Sequence, residues 1–179
     1  MKKTTPIILL AGIALNVLAL LTACATGGNA PAPEGLTLQD AIEQSAAKTA
    51  AELARGSQAA VVAFESPNGD LSEFVMEELN GALRDRGVGV VDRQNLKHVL
   101  QELNFQMSGY VSEESARSIG KFLGADIVIT GQLTGFGGTY RFRTSAIDVE
   151  TAARVSITRF DVRNDQAMQR MTGQTTNSK

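Results

Sequence analysis

The hydrophobic periodicity of the chain changes at Ile127. Before this residue, short apolar runs alternate with segments whose apolar residues recur at helical spacing, as at Leu96, Val99, Leu100 and Leu103. From Ile127 onwards, apolar and polar residues alternate with the period of two that is typical of strands. The predicted element order is α-β-α-β-α-α-β-β-β, which describes an α/β (α+β) chain with a single mixed sheet and packed helices.

Capping and turn residues mark the ends of these elements. Thr37 with Asp40, Asp70 and Ser112 are predicted to begin helices, and Gly124 is predicted to end one. The helix after Ser112 is expected to bury an apolar face formed by Ala116, Ile119, Phe122 and Leu123.

Two further turns are predicted within the last third of the chain. The glycine pair at 137–138 is typical of a two-residue hairpin turn, and residues 148–153 form the next turn. A last strand is expected over 154–162.

Cys24 is the only cysteine of the chain, and it follows a basic start and an apolar run from Pro6 to Leu21. This arrangement is typical of a secretory signal, and its end, Leu21-Thr22-Ala23-Cys24, resembles a bacterial lipobox. We therefore expect residues 1–23 to be a lipoprotein signal peptide and Cys24 to be the lipid attachment site. The apolar run is shorter than the roughly 20 residues of a membrane-spanning helix.

The remaining chain divides by composition. Residues 24–35 are rich in glycine, proline and small polar residues and are predicted to be a flexible tether. Residues 36–163 are predicted to form one α/β domain, and residues 164–179 a polar, disordered tail.

Composition excludes several classes of function. The net charge of −2 argues against binding of nucleic acid. His98, the only histidine, is interpreted as an exposed helix residue, and without a second histidine or a free cysteine no metal site is expected. The glycines near residue 137 lead into a strand rather than a helix, so they do not form a phosphate-binding cofactor motif. The sequence also offers no set of a nucleophile and a base. The chain is expected not to be an enzyme.

The candidate binding residues lie in two places. Phe105, Met107 and Tyr110 are apolar residues of a loop that follows a predicted helix, where they either pack beneath the loop or contact a partner. Arg141 and Arg143 lie on the predicted C-terminal strands, where they either meet an acidic partner or belong to a charge-mixed solvated face. Further arginines on or next to these strands are Arg154, Arg159 and Arg163.

Asp92 with Arg93 follows a predicted buried strand. The pair either recognises a ligand at the edge of the sheet or is structural, and we favour a structural role in which Asp92 caps the next helix.

Six segments, in order, resemble the CsgG-like bacterial lipoprotein family, which includes curli secretion subunits and LpoB-like activators of penicillin-binding proteins. These segments are Ala60–Phe64, Glu77–Leu79, Val90–Leu96, Asn104–Ser112, Gly124–Asp126 and Ile147–Thr151. The resemblance implies a domain shaped like an anticodon-binding domain that works through protein contacts.

The resemblance implies a non-enzymatic, membrane-anchored periplasmic lipoprotein. Its expected partner is an envelope protein, either a penicillin-binding protein of the peptidoglycan synthase machinery or a secretion component. Ala25 after the cysteine resembles the sorting signal of outer-membrane lipoproteins, although the choice between inner and outer membrane stays open. The alternative is a subunit of a CsgG-type oligomeric secretion assembly without its own transmembrane barrel, which would make the protein a homo-oligomer.

Overall fold

The structure is a computed structural model that describes residues 35–92, 94, 96, 98 and 112–174. The helices are α1 (Leu38–Glu52), α2 (Gly69–Arg84), α3 (Glu113–Leu123) and α4 (Gln166–Thr172). Positions 94, 96 and 98 are also helical, at the place of the helix that the sequence predicts between β2 and α3. The strands are β1 (Gln58–Glu65), β2 (Gly89–Val90), β3 (Ile127–Phe136), β4 (Thr139–Asp148) and β5 (Arg154–Val162).

The five strands form one mixed sheet in the order β2-β1-β3-β4-β5, which confirms the predicted fold class. Strands β2 and β3 run parallel to β1, while β3, β4 and β5 form an antiparallel meander. Two residues connect β3 to β4, Gly137 and Gly138, and both have positive φ angles of 54° and 89°. The predicted hairpin turn is confirmed, since this turn type needs positive φ at both positions.

The helix ends follow local hydrogen bonding. Thr37 and Asp40 form the predicted capping box, and the hydroxyl of Ser112 accepts a bond from the backbone of α3. The prediction for α2 was wrong, because the cap is Asn68 rather than Asp70. The Asn68 side chain accepts the N–H of Leu71 at 2.9 Å, so Asp70 lies in the first turn, where its charge favours the helix dipole.

Helices α1 and α2 pack on one face of the sheet and α3 packs on the other. Three buried hydroxyls fix α1 to the sheet: Ser45 Oγ lies 2.6 Å from Thr144 Oγ1 and 3.0 Å from Thr158 Oγ1, and the two threonine hydroxyls are 2.7 Å apart. Because each hydroxyl has one hydrogen to donate, the triangle satisfies all three donors inside the core.

The three hydroxyls of this triangle are expected to contribute to stability in a non-additive way. Thr158→Val should lower the free energy of unfolding by about 1–3 kcal/mol, since the hydroxyls of Ser45 and Thr144 lose a buried partner. Combined replacement of the three hydroxyl residues by alanine, valine and valine should cost less than the sum of the single changes. Urea denaturation of the four variants checks this, and a strictly additive series would contradict it.

On the opposite face, α3 covers only the end of the sheet at which β3 begins. Gly120 of α3 lies so close to the sheet that a Cβ there would stand 2.5 Å from Val128 and 2.7 Å from Val149. Ala116 and Ile119 are buried as predicted, but the expectation for Phe122 was wrong, because its side chain is 66% exposed. Helix α3 meets the sheet along a narrow stripe, which leaves Phe122 outside the contact.

The chain enters the domain along the free side of β5. Leu36 forms an isolated parallel bridge with Val162, in which the Leu36 N–H donates to Asp161 O and the Arg163 N–H donates to Leu36 O, both at 2.9 Å. Gly35 has a φ of 107°, and a Cβ there would lie 2.9 Å from Asp161 O, so only glycine fits this approach.

The expectation of a disordered tail over 164–179 is corrected for its first part, where the structure has helix α4. Met168 of this helix is 1% exposed, and Asn68 Nδ2 donates to Met171 O at 2.7 Å. Because Met168 is the one side chain of this helix that is buried, the helix gives no recognisable apolar stripe in the sequence.

Candidate functional site

The face of the sheet that α3 leaves uncovered carries the predicted arginines. Side chains alternate along β4, so that Thr144 faces α1 and its neighbours Arg143 and Ser145 face the other way. The strand register brings residues of three strands together on this side. We call this surface the arginine face and define it by Gln132, Thr134, Arg141, Arg143, Ile157, Arg159 and Asp161.

Arg141 is held by its neighbours on the arginine face. Its Nε donates to Asp161 Oδ1 at 3.1 Å, across the β4–β5 pair. Its guanidinium carbon lies 3.9 Å from the ring centroid of Phe136, the last residue of β3. An exposed ion pair of this kind contributes only about 0–1 kcal/mol, but it orients the arginine and gives its charge a local partner.

Arg143 and Arg159 lie directly opposite each other on β4 and β5. Leu36 bonds to backbone groups of Asp161 and Arg163 on the free side of β5. Because successive residues of a strand direct their backbone groups to opposite sides, Phe160 bonds to β4, whereas Arg159 and Asp161 do not. Arg143 and Arg159 therefore form a non-hydrogen-bonded pair, in which Cα atoms approach to about 4.5 Å and side chains are closest.

Two like charges at this spacing destabilise a sheet. Both side chains are exposed, and within the described residues neither makes an ion pair or a hydrogen bond. The neighbouring pair in the same geometry, Arg141 with Asp161, shows that the register also accommodates opposite charges. An anionic group between the two arginines would remove the repulsion and accept bonds from both guanidinium groups.

Exposed apolar side chains adjoin the arginine pair. Ile157, on the same face of β5, is 59% exposed, and Phe136 at the hairpin is 56% exposed. A surface depression lies beside them, lined by Gly35, Leu36, Phe136, Gly137, Thr139, Arg159, Phe160 and Asp161. Arginine and aromatic residues are enriched in protein–protein interfaces, so the composition of the arginine face suits a protein partner with carboxylate groups.

The other candidate residues have structural roles or lie elsewhere. Arg163 pairs with Asp165 at 3.3 Å, and Arg154 also has an interaction partner. Asp92 accepts the N–H of Gln94 at 2.7 Å, which confirms its role as a cap, and His98 is an exposed helical residue as predicted. Cys24 and the loop residues Phe105, Met107 and Tyr110 lie outside the described residues.

Two carboxyl groups near the sheet have lowered pKa values for structural reasons. Hydrogen bonds from the backbone and hydroxyl of Thr151 lower the pKa of Asp148, the last residue of β4. The backbone N–H of Met168 lowers the pKa of Asp165, the cap of α4. Neither group belongs to the arginine face.

The pairing of Arg143 with Arg159 could not be predicted from the sequence. The sequence identifies Arg159 only as one of five arginines on or next to the C-terminal strands, because it does not show which residue of β5 faces Arg143. Ile157 was missed for the same reason, since an isolated isoleucine in a predicted strand gives no sign of being exposed.

Comparison with known proteins identifies the domain. The sequence model of the family described as curli production assembly/transport component CsgG matches residues 47–163. Among solved structures, the LpoB C-terminal domain from Salmonella enterica superposes with a TM-score of 0.60 at 19% identity, covering 70% of this chain and 97% of that chain. The NMR structure of Escherichia coli LpoB also gives 0.60 at 19% identity, covering 74% and 72%. The comparison with curated proteins finds no match.

Among the residues that the structure describes, no helix combines the length and the apolar character needed to cross a membrane. The same residues contain no group of three or more His, Cys, Asp or Glu side chains placed to hold a metal ion.

Proposed function

Because the chain belongs to the CsgG family, we propose that it is a non-enzymatic, membrane-anchored periplasmic lipoprotein that binds another protein of the cell envelope. The observation that carries this proposal is the arginine face. Arg143 and Arg159 face each other without a counter-ion among the described residues, and a partner carboxylate supplies the missing charge.

The proposed anchor is the lipidated sulfur of Cys24. The described chain begins at Gly35, which enters beside Asp161 on the edge of the arginine face. The intervening residues, even fully extended, span at most about 40 Å. The arginine face is thereby confined to a thin layer above the membrane, where its effective concentration towards other membrane proteins is raised. We place this layer at the periplasmic face of the outer membrane.

The proposed partner is the peptidoglycan synthase machinery, in which the protein acts as an activator or adaptor of a penicillin-binding protein. In this role the chain recognises its partner and localises it at the membrane. The arginine pair selects an acidic surface, and the anchor determines which molecules can reach it.

A second candidate is a subunit of an oligomeric secretion assembly. It is favoured by the match to a family described as an assembly and transport component. In this case the anionic group would be contributed by a neighbouring copy.

Purification of the tagged, full-length protein from native membranes after gentle crosslinking separates these functions. The adaptor predicts co-purification of a penicillin-binding protein and a monomeric size for the protein alone in detergent. A ring-sized particle containing only this chain supports the secretion assembly instead. Recovery of a monomer without any envelope partner overturns both proposals.

A further inference from the structure

Strand β5 is an edge strand, and its backbone bonds on the free side can be assigned residue by residue. Asp161 and Arg163 direct backbone groups outwards, because Leu36 bonds to both. Outward and inward residues alternate along a strand, so Arg159 and Ile157 also direct their N–H and C=O groups outwards. No backbone bond from another described segment reaches these two residues.

The bridge with Leu36 shows that this edge accepts an extended chain, and among the described residues it comprises a single residue. Gly35, with a φ of 107°, is not in the extended conformation of a strand. Among the described residues, the edge at Ile157 and Arg159 therefore lies next to a pairing that Leu36 starts and that no other described residue extends.

We propose that the envelope partner adds an extended, acidic segment to this edge as a sixth strand of the sheet. The inference rests on the proposed function and names how the partner binds. An added strand lies about 4.8 Å from β5, and every second side chain of it falls on the arginine face. There these side chains contact Arg159 and the exposed Ile157 of β5, and Arg143 lies next to Arg159 on β4. An acidic residue and an apolar residue two positions apart in the added strand fit these neighbours.

The charges of the edge favour a partner over a second copy of this chain. Pairing of two β5 strands would bring two copies of Arg159 to the same face, next to two copies of Arg143. No acidic side chain of β5 other than Asp161 could compensate them, and Asp161 already pairs with Arg141. Self-association through this edge would increase the repulsion that an acidic segment removes.

Amide hydrogen exchange tests the inference on the wild-type protein. The probe is the purified periplasmic domain of the host penicillin-binding protein. Without it, the outward amides of Ile157 and Arg159 should exchange fast and the inward amides of Thr158 and Phe160 slowly. At saturation with the domain, the two outward amides should slow by about tenfold or more. Their protection already in the free, monomeric protein would overturn the inference, because the edge would then be occupied.

Ile157→Pro provides the matched variant. Proline at 157 removes an outward N–H and leaves the bonds to β4 in place, as is tolerated on edge strands. Affinity for the domain should fall about tenfold relative to Ile157→Ala, which removes the side chain but keeps the N–H. If the two variants bind with equal affinity, or if the outward amides still exchange fast in the complex, strand addition is wrong and the proposed function stands. No binding by the wild type overturns it together with the proposed function.

Discussion

Reversal of both facing arginines, Arg143→Glu with Arg159→Glu, is expected to lower the affinity for the envelope partner by about 100-fold or more. Each arginine is proposed to donate charge-assisted hydrogen bonds, which contribute about 1.5–3 kcal/mol apiece. Stability should change little, because two facing glutamates repel each other much as two facing arginines do. Isothermal titration with the periplasmic domain of the penicillin-binding protein measures the affinity, and thermal unfolding measures the stability.

A matched control separates this effect from a general change in charge. Arg55→Glu with Arg84→Glu changes the net charge by the same amount at two exposed residues outside the arginine face. This control should bind with near wild-type affinity, apart from a small long-range effect that salt screens. Equal loss of binding in both double variants, or in neither, would show that Arg143 and Arg159 are not the recognition site.

Replacement of the lipid-bearing atom is the second large effect. Cys24→Ser should move the protein from the membrane fraction to the soluble periplasmic fraction almost completely. The physical reason is that each buried methylene of an acyl chain contributes about 0.8 kcal/mol to membrane binding, and a hydroxyl is not acylated. Thr22→Ser, two residues away, should leave the protein on the membrane. An unchanged membrane fraction for Cys24→Ser would contradict lipid anchoring.

The sequence was sufficient for those parts of the fold that depend on neighbouring residues. The capping box of Thr37 and Asp40, the Gly137-Gly138 turn and the cap at Ser112 follow from contacts within a few residues. Element order followed from periodicity, because a buried strand and an amphipathic helix impose different spacings on apolar residues.

Features that depend on tertiary contacts could not be predicted. Phe122 has the right spacing for the buried side of α3, but the narrow contact of that helix with the sheet leaves it in solvent. Met168 anchors α4 by packing against parts of the chain that are distant in sequence. Neither outcome follows from local propensity, because each depends on which surfaces the fold brings together.

The arginine pair is the clearest example. The register of β4 with β5 shifts by one residue between Ala146 and Ile147. If the pairing of Ile147 with Arg154 continued without this irregularity, Arg143 would face Thr158. The bulge moves Arg159 opposite Arg143 and turns Thr158 towards the core, where its hydroxyl completes the buried triangle. A single inserted residue therefore determines both the candidate site and a core contact, and its position is not evident from the sequence.

The most direct test of the account is recovery of the partner from native membranes, compared among wild type, the Arg143→Glu, Arg159→Glu double variant and Cys24→Ser at equal expression. We predict that a penicillin-binding protein is recovered with the wild type, and that both variants lose most of it, one through recognition and the other through localisation. Equal recovery with all three proteins would contradict a tethered adaptor that binds through its arginine face.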